Sequence, residues 1–178
     1  MSESFEAILT GGHPNSLGRT LDVVEAVLSD TKRVEELFNC YQSADEVVRL
    51  RVSNALRRVQ AEQPDLLIPF TDRLLNEIAN LDQASAQWTL PKLFTGLHAT
   101  MTAQQKDQAI QIVKRNLEHH SDWIVLNNSI EYLADLAEQD ERLKTWLLPH
   151  LNRLTQEVRK SVKARASKAL NKLQKTSG

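Results

Sequence analysis

The chain has one cysteine, Cys40, in 178 residues, which excludes an intramolecular disulfide framework and a zinc cage built from cysteines. Aromatic residues make up 5%, and glycine and proline number five each. That is poor material for a β-sandwich and good material for helices. No apolar run approaches the length of a membrane span. The opening MSESFEAILTGGHPNS has neither a basic head nor a long apolar run, so no signal peptide is expected. There is no phosphate-binding loop, nucleophile elbow, H-E-x-x-H pair or glycine-rich dinucleotide turn. Net charge is −1, with 41% apolar and 25% charged residues, ordinary values for a folded soluble protein. Together these absences suggest a cytoplasmic chain without cofactor or metal.

What the chain does have is a recurring apolar stripe. In Asp45–Val59 it consists of Val48, Val52, Ala55, Leu56 and Val59. The same steps give Ala86, Leu90, Leu93, Phe94 and Leu97, then Val125, Ser129, Tyr132, Leu133 and Leu136, then Val162, Ala166, Ala169, Leu170 and Leu173. Steps of i, i+4, i+7, i+8 and i+11 trace one face of an α-helix. The copies start at Val48, Ala86, Val125 and Val162, offsets of 38, 39 and 37, and a helical stripe at a nearly constant period marks a solenoid.

Caps and breakers fill in the rest. Residues 1–16, with Gly11, Gly12, Pro14 and Asn15, predict a flexible N-terminal tail and loop. Ser16 is placed to cap a leading helix over 17–28 with Leu21, Val24 and Leu28 inward. Asp30 caps a helix over 31–42 with Val34, Leu37, Phe38 and Tyr41 inward. Ser43 with Glu46 reads as a capping box for helix 44–62. Pro64 suits the first turn of helix 65–81, which Pro69 should kink. Asp82 opens a helix over 83–98, and Thr102 with Gln105 forms a second capping box for 103–118. Helices over 122–138, 141–155 and 157–174 follow, and Lys175–Gly178 is expected to fray. Short connections make neighbours antiparallel. The expectation is a single domain over 17–175, built from one leading helix and about four antiparallel helix pairs.

Asp45, Val48-Arg49, Val52 and Ala55-Leu56 resemble the second helix of the HEAT repeat, V-R-x-x-A-x-x-A-L, with Val52 in place of alanine. Val162-Lys163, Ala166 and Ala169-Leu170 resemble it again, with lysine for arginine. The middle copies carry Gln87 and Leu126 at the arginine position, and Ser129 interrupts the stripe. The likeness covers about residues 30–174 and extends to armadillo-like and bilin-lyase HEAT-like repeats. It implies an all-α, right-handed α-α superhelix and no particular function, since such repeats serve many partners.

In such a solenoid the second helices usually line the concave wall. One row there would be Arg49, Gln87, Leu126 and Lys163, the next Arg51, Thr89, Asn128 and Arg165. Arg49 and Lys163 read first as structural pairs between repeats. Residues 148–178 carry net +7, leaving −8 on the rest; a polar terminal cap is preferred to an anion site. The expected function is a non-enzymatic interaction or scaffold module. It would bind a protein or peptide on the second-helix face, with Arg49, Arg51, Trp88, Asn128, Lys163 and Arg165 as candidate contacts. The alternative is nucleic-acid binding through the basic last helix with Trp88, Trp123 and Trp146. It rests on a resemblance to HEAT-like alkylpurine DNA glycosylases, which have a basic groove with tryptophans and an aspartate. Asp122 reads as a helix-start acid rather than a catalytic one. A bilin-lyase-like or chaperone role rests on repeat type alone. His119, His120 and Asp122 read as turn residues, because a metal site needs three or four converging ligands. Cys40 reads as an inert thiol.

Overall fold

The structure is a computed structural model that describes residues 3–175. Of the end expected to fray, Lys175 closes the last helix and 176–178 lie outside the described residues. Among the described residues there are ten α-helices and no strand. They are α1 Phe5–Leu9, α2 Thr20–Ser29, α3 Val34–Asn39, α4 Glu46–Glu62, α5 Thr71–Asn76, α6 Ala84–Leu97, α7 Ala103–His119, α8 Trp123–Ala137, α9 Glu141–Leu154 and α10 Lys160–Lys175. The 3-10 turns Thr31–Arg33 and Cys40–Gln42 extend α3; Pro64–Phe70 and Ile78–Asn80 flank α5. The helix expected over 65–81 is therefore broken, and Pro69 lies in a 3-10 turn. Pro91 and Pro149 sit inside α6 and α9.

The stripe organises the packing. Of its twenty positions all but Leu136 and Leu170 are buried. Thr102 and Gln105 form the expected capping box of α7, and the Asp30 carboxylate accepts from the Lys32 N–H at 3.2 Å. The Ser43 box is corrected: Asp45 caps α4, accepting from the Val47 N–H at 2.8 Å, while the Ser43 hydroxyl accepts from Asp45 N–H. Asp82 is not the cap of α6; Gln83 holds that position, its side chain shared between Arg49 and Ser85. Nor does Ser16 cap α2, which starts after Arg19. The inward face of the leading helix is shifted from the expected one: Val24 is buried as expected and Leu28 half-buried, but Leu21 is not inward. Thr20, Val23, Val24 and Val27 are buried, and Leu21 is 55% exposed. Val23 and Val27, four apart, and Leu21 and Leu28, seven apart, are both helical spacings, so only the surfaces of α1 and α4 choose between them.

Contacts group the chain into two compact units, Met1–Met101 and Thr102–Gly178. In the first, α4 lies against both α2 and α6, and α1 packs on α2 and α4. The segment expected as tail thus contributes a helix to this unit, with Phe5 and Leu9 fully buried. Glu36 accepts the Phe5 N–H at 2.8 Å and pairs with Arg33, whose guanidinium lies 3.8 Å over the Phe5 ring. Burial alone would raise the Glu36 carboxyl. The hydrogen bond from Arg33, the Phe5 N–H and the Arg33 charge outweigh it and hold the pKa below the usual range. Between α4 and α6, Gly96 leaves room for Gln60, whose amide donates to the Leu93 carbonyl at 3.0 Å; a Cβ at 96 would stand 2.5 Å from that amide.

In the second unit α8 packs against α7, α9 and α10, and α10 also against α9. Ser129 takes the stripe position held by Val52 in α4 and Ala166 in α10. It is fully buried, and its hydroxyl has no hydrogen-bond partner. A buried hydroxyl without a partner costs about 1–3 kcal/mol. Ser129→Ala is therefore expected to raise stability by about 1 kcal/mol, read as a higher urea midpoint at unchanged slope.

Candidate functional site

Of the two expected contact rows, Arg51, Gln87, Thr89 and Leu126 are buried. Arg51 is 1% exposed. Its guanidinium donates to the carbonyls of Leu9 at 2.6 Å, Gly11 at 2.5 Å, Ser16 at 3.2 Å and His13 at 3.2 Å. Its place as a partner contact is corrected: it holds residues 9–16 against α4, and Thr89, next in that row, is also buried. Arg49 keeps the structural role. It donates to the Ser43 carbonyl at 2.6 Å and to Gln83 at 2.9 Å, tying α4 to the turn before it and to the start of α6. Gln87, one repeat on, donates to the Leu81 carbonyl at 2.9 Å. Ser43 and Leu81 each lie six residues upstream of their donors, so glutamine performs the hydrogen bond of the arginine it replaces.

Trp88 is half-buried in a cleft of about 160 Å³ that Pro14, Asn15, Val47, Leu50 and Gln83 also line. Asn128 is half-buried on α8; Lys163 and Arg165 are exposed on α10. Arg165 is not free. It pairs with Glu131 of α8 at 3.1 Å, and Lys172 pairs with Asp135 at 2.9 Å and with Glu138. Hydrogen bonds that Lys172 donates, first to Glu138 and then to Asp135, hold its pKa above the ordinary lysine value. Between the helices lies a cleft of about 180 Å³, lined by Ile130, Glu131 and Asp135 on one wall and Arg165, Lys168 and Lys172 on the other. The acids were not expected. Their signal is the 4 and 3 step of Glu131, Asp135 and Glu138, each 34 or 37 residues before its basic partner and so one repeat away.

Trp88 belongs to the first unit, and Trp123 and Trp146 to the second. Trp146 belongs to α9, where its ring meets His150 at 4.2 Å and Lys114 of α7 at 4.2 Å. Trp123 opens α8 and is 49% exposed. Asp122 caps α8, accepting from Ile124 and Val125, and the His120 ring accepts the Asp122 N–H. Among the described residues no three His, Cys, Asp or Glu side chains are placed to hold a metal ion. Cys40 is buried, and burial first, then the charges of Glu36 and Glu6, push its thiol up to about 11.

No family model matches the chain, and neither a curated protein nor a solved structure matches it.

The α8–α10 cleft can therefore be read only by its chemistry. It sets carboxylates opposite cations, and each pair is partly exposed, so an incoming charged segment can exchange for these internal partners at small cost. On the opposite layer, His150 gives the unit an acid sensitivity. Burial holds its pKa below the ordinary value of 6.5; Glu118 opposes this, and Arg153 and Lys114 add to it. As pH falls, the unfolded chain takes up the proton first. The stability carried by the neutral ring is complete above pH 6.5 and is lost as pH drops through the folded value. His150→Gln is expected to flatten the fall of the melting temperature between neutral and mildly acid pH.

Proposed function

We propose that the chain is a HEAT-like α-solenoid acting as a non-enzymatic interaction module, with a protein or peptide partner on the face of the second helices. The observation that carries this reading is the neighbourhood of those helices. Within the first unit α4 lies beside α6, and within the second α8 lies beside α10, as stacking of successive repeats requires. The α8–α10 cleft supplies paired charges of both signs to fix the direction of a bound segment. Arg165 and Asn128 stay as contact residues, with Glu131 and Asp135 added; Trp88 serves the first unit. Arg49 and Arg51 are assigned to holding the fold.

The test is site-directed photo-crosslinking. Crosslinkers at 128 and 168, on the second-helix face, should capture the same partner, and charge reversal of Glu131 and Arg165 together should abolish capture. A crosslinker at 145, on α9, should capture nothing. Equal capture from both layers, or none from the second helices, would overturn the proposal.

A further inference from the structure

The outer face of α10 is chemically distinct from the cleft beside it. Helix α10 contains no acid. At 100° per residue Val162, Ala166, Ala169 and Leu173, its buried residues, share one side. Lys160, Lys163, Lys168 and Lys175 fall within an arc of about 140° centred opposite that side. All four are exposed, and none has an acidic partner among the described residues. The acids of α8 neutralise only the flank that carries Arg165 and Lys172. Between the lysines stand Ala164, Ser167, Asn171 and Gln174, all uncharged and none large and apolar. The helix carries this row over about 22 Å, at 1.5 Å per residue.

We infer that this face is a docking surface for the phosphodiester backbone of duplex nucleic acid, bound without regard to sequence. The occupant follows from what the face has and lacks. A specific protein interface is held by apolar or aromatic anchors in a desolvated centre, and the lysine arc presents none. A membrane-surface helix inserts its apolar side, whereas that side of α10 is buried against α8 and α9. Point cations on uncharged ground without an apolar anchor suit a uniformly charged rod, where phosphate contacts supply the affinity. This surface shares only Lys168 with the proposed peptide cleft, and the three lysines varied below line no part of that cleft, so either proposal can fail alone.

The experiment is filter binding of the full chain to a random-sequence DNA duplex, from 50 mM salt upward, against Lys160→Gln/Lys163→Gln/Lys175→Gln. These lysines are exposed, so the variant should keep the wild-type circular dichroism and melting temperature; Lys→Ala at the same positions gives a second variant. The wild type should bind with steep salt dependence. The triple variant should lose about 2.7 from the slope of log affinity against log salt, at about 0.9 per phosphate, and at least about tenfold in affinity at 50 mM. The inference is overturned if the wild type does not retain duplex at 50 mM salt, or if both variants bind as it does. It is equally overturned if polyglutamate, or vesicles of phosphatidylserine and phosphatidylcholine, bind as tightly as the duplex.

Discussion

Replacing Arg51 with alanine is expected to destabilise the first unit by about 3–5 kcal/mol, because buried carbonyl oxygens lose the charged donor they share. Four carbonyl oxygens, of Leu9, Gly11, His13 and Ser16, accept from this one guanidinium. Hydrogen bonds from a charged donor contribute about 1.5–3 kcal/mol each and do not add fully when they share it. The loop is shaped around the group. Gly18 has φ +52°, a conformation open to glycine, and a Cβ there would stand 2.8 Å from the guanidinium carbon. Gly18→Ala should therefore reproduce part of the loss with Arg51 intact. Arg51→Lys should recover little, because one ammonium cannot span carbonyls that a planar fork reaches together. Two measurements check this: the urea midpoint, and the rate of tryptic cleavage after Arg19, which should rise as residues 10–18 detach. An alanine variant with wild-type values in both would show that the loop does not depend on Arg51.

The second large effect belongs to the stripe. Phe94 is fully buried on α6, and Phe94→Ala is expected to cost about 3–5 kcal/mol through lost transfer energy and the cavity left behind. Its repeat equivalents are Leu56, Leu133 and Leu170. Leu56 and Leu133 are also fully buried, and Leu170 is only half-buried. Truncation to alanine should therefore cost about 2–5 kcal/mol at 56 and 133 and clearly less at 170. Urea melts of the four variants give the comparison. A loss at Leu170 as large as at Leu133 would mean that the repeat positions do not differ as their burial does.

Much of the helix order was legible before any coordinates, and the reason is local. A stripe at helical spacing works through burial of each helix's own face, so period and phase can be counted along the chain. Thr102 and Asp30 acted as read because a cap satisfies N–H groups two or three residues away. Ser43 failed by two positions, since Asp45 lay nearer the first free N–H groups of α4. The hidden parts involve partners far apart in sequence. Arg51 looked like a surface contact because its acceptors lie 35 to 42 residues upstream in a segment that reads as loop. Arg165 and Lys172 looked like free charge because their acids sit on another helix.

The sequence by itself determined that the chain is helical, where all its α-helices but α1 and α5 begin and end to within a few residues, and which side of most of them is apolar. Those properties follow from backbone propensity and period, which each segment carries alone. Tertiary structure alone decided which cations stay available. A charge is neutralised, buried or left to solvent by whatever the fold sets within a few ångströms of it, and that neighbour belongs to another part of the chain.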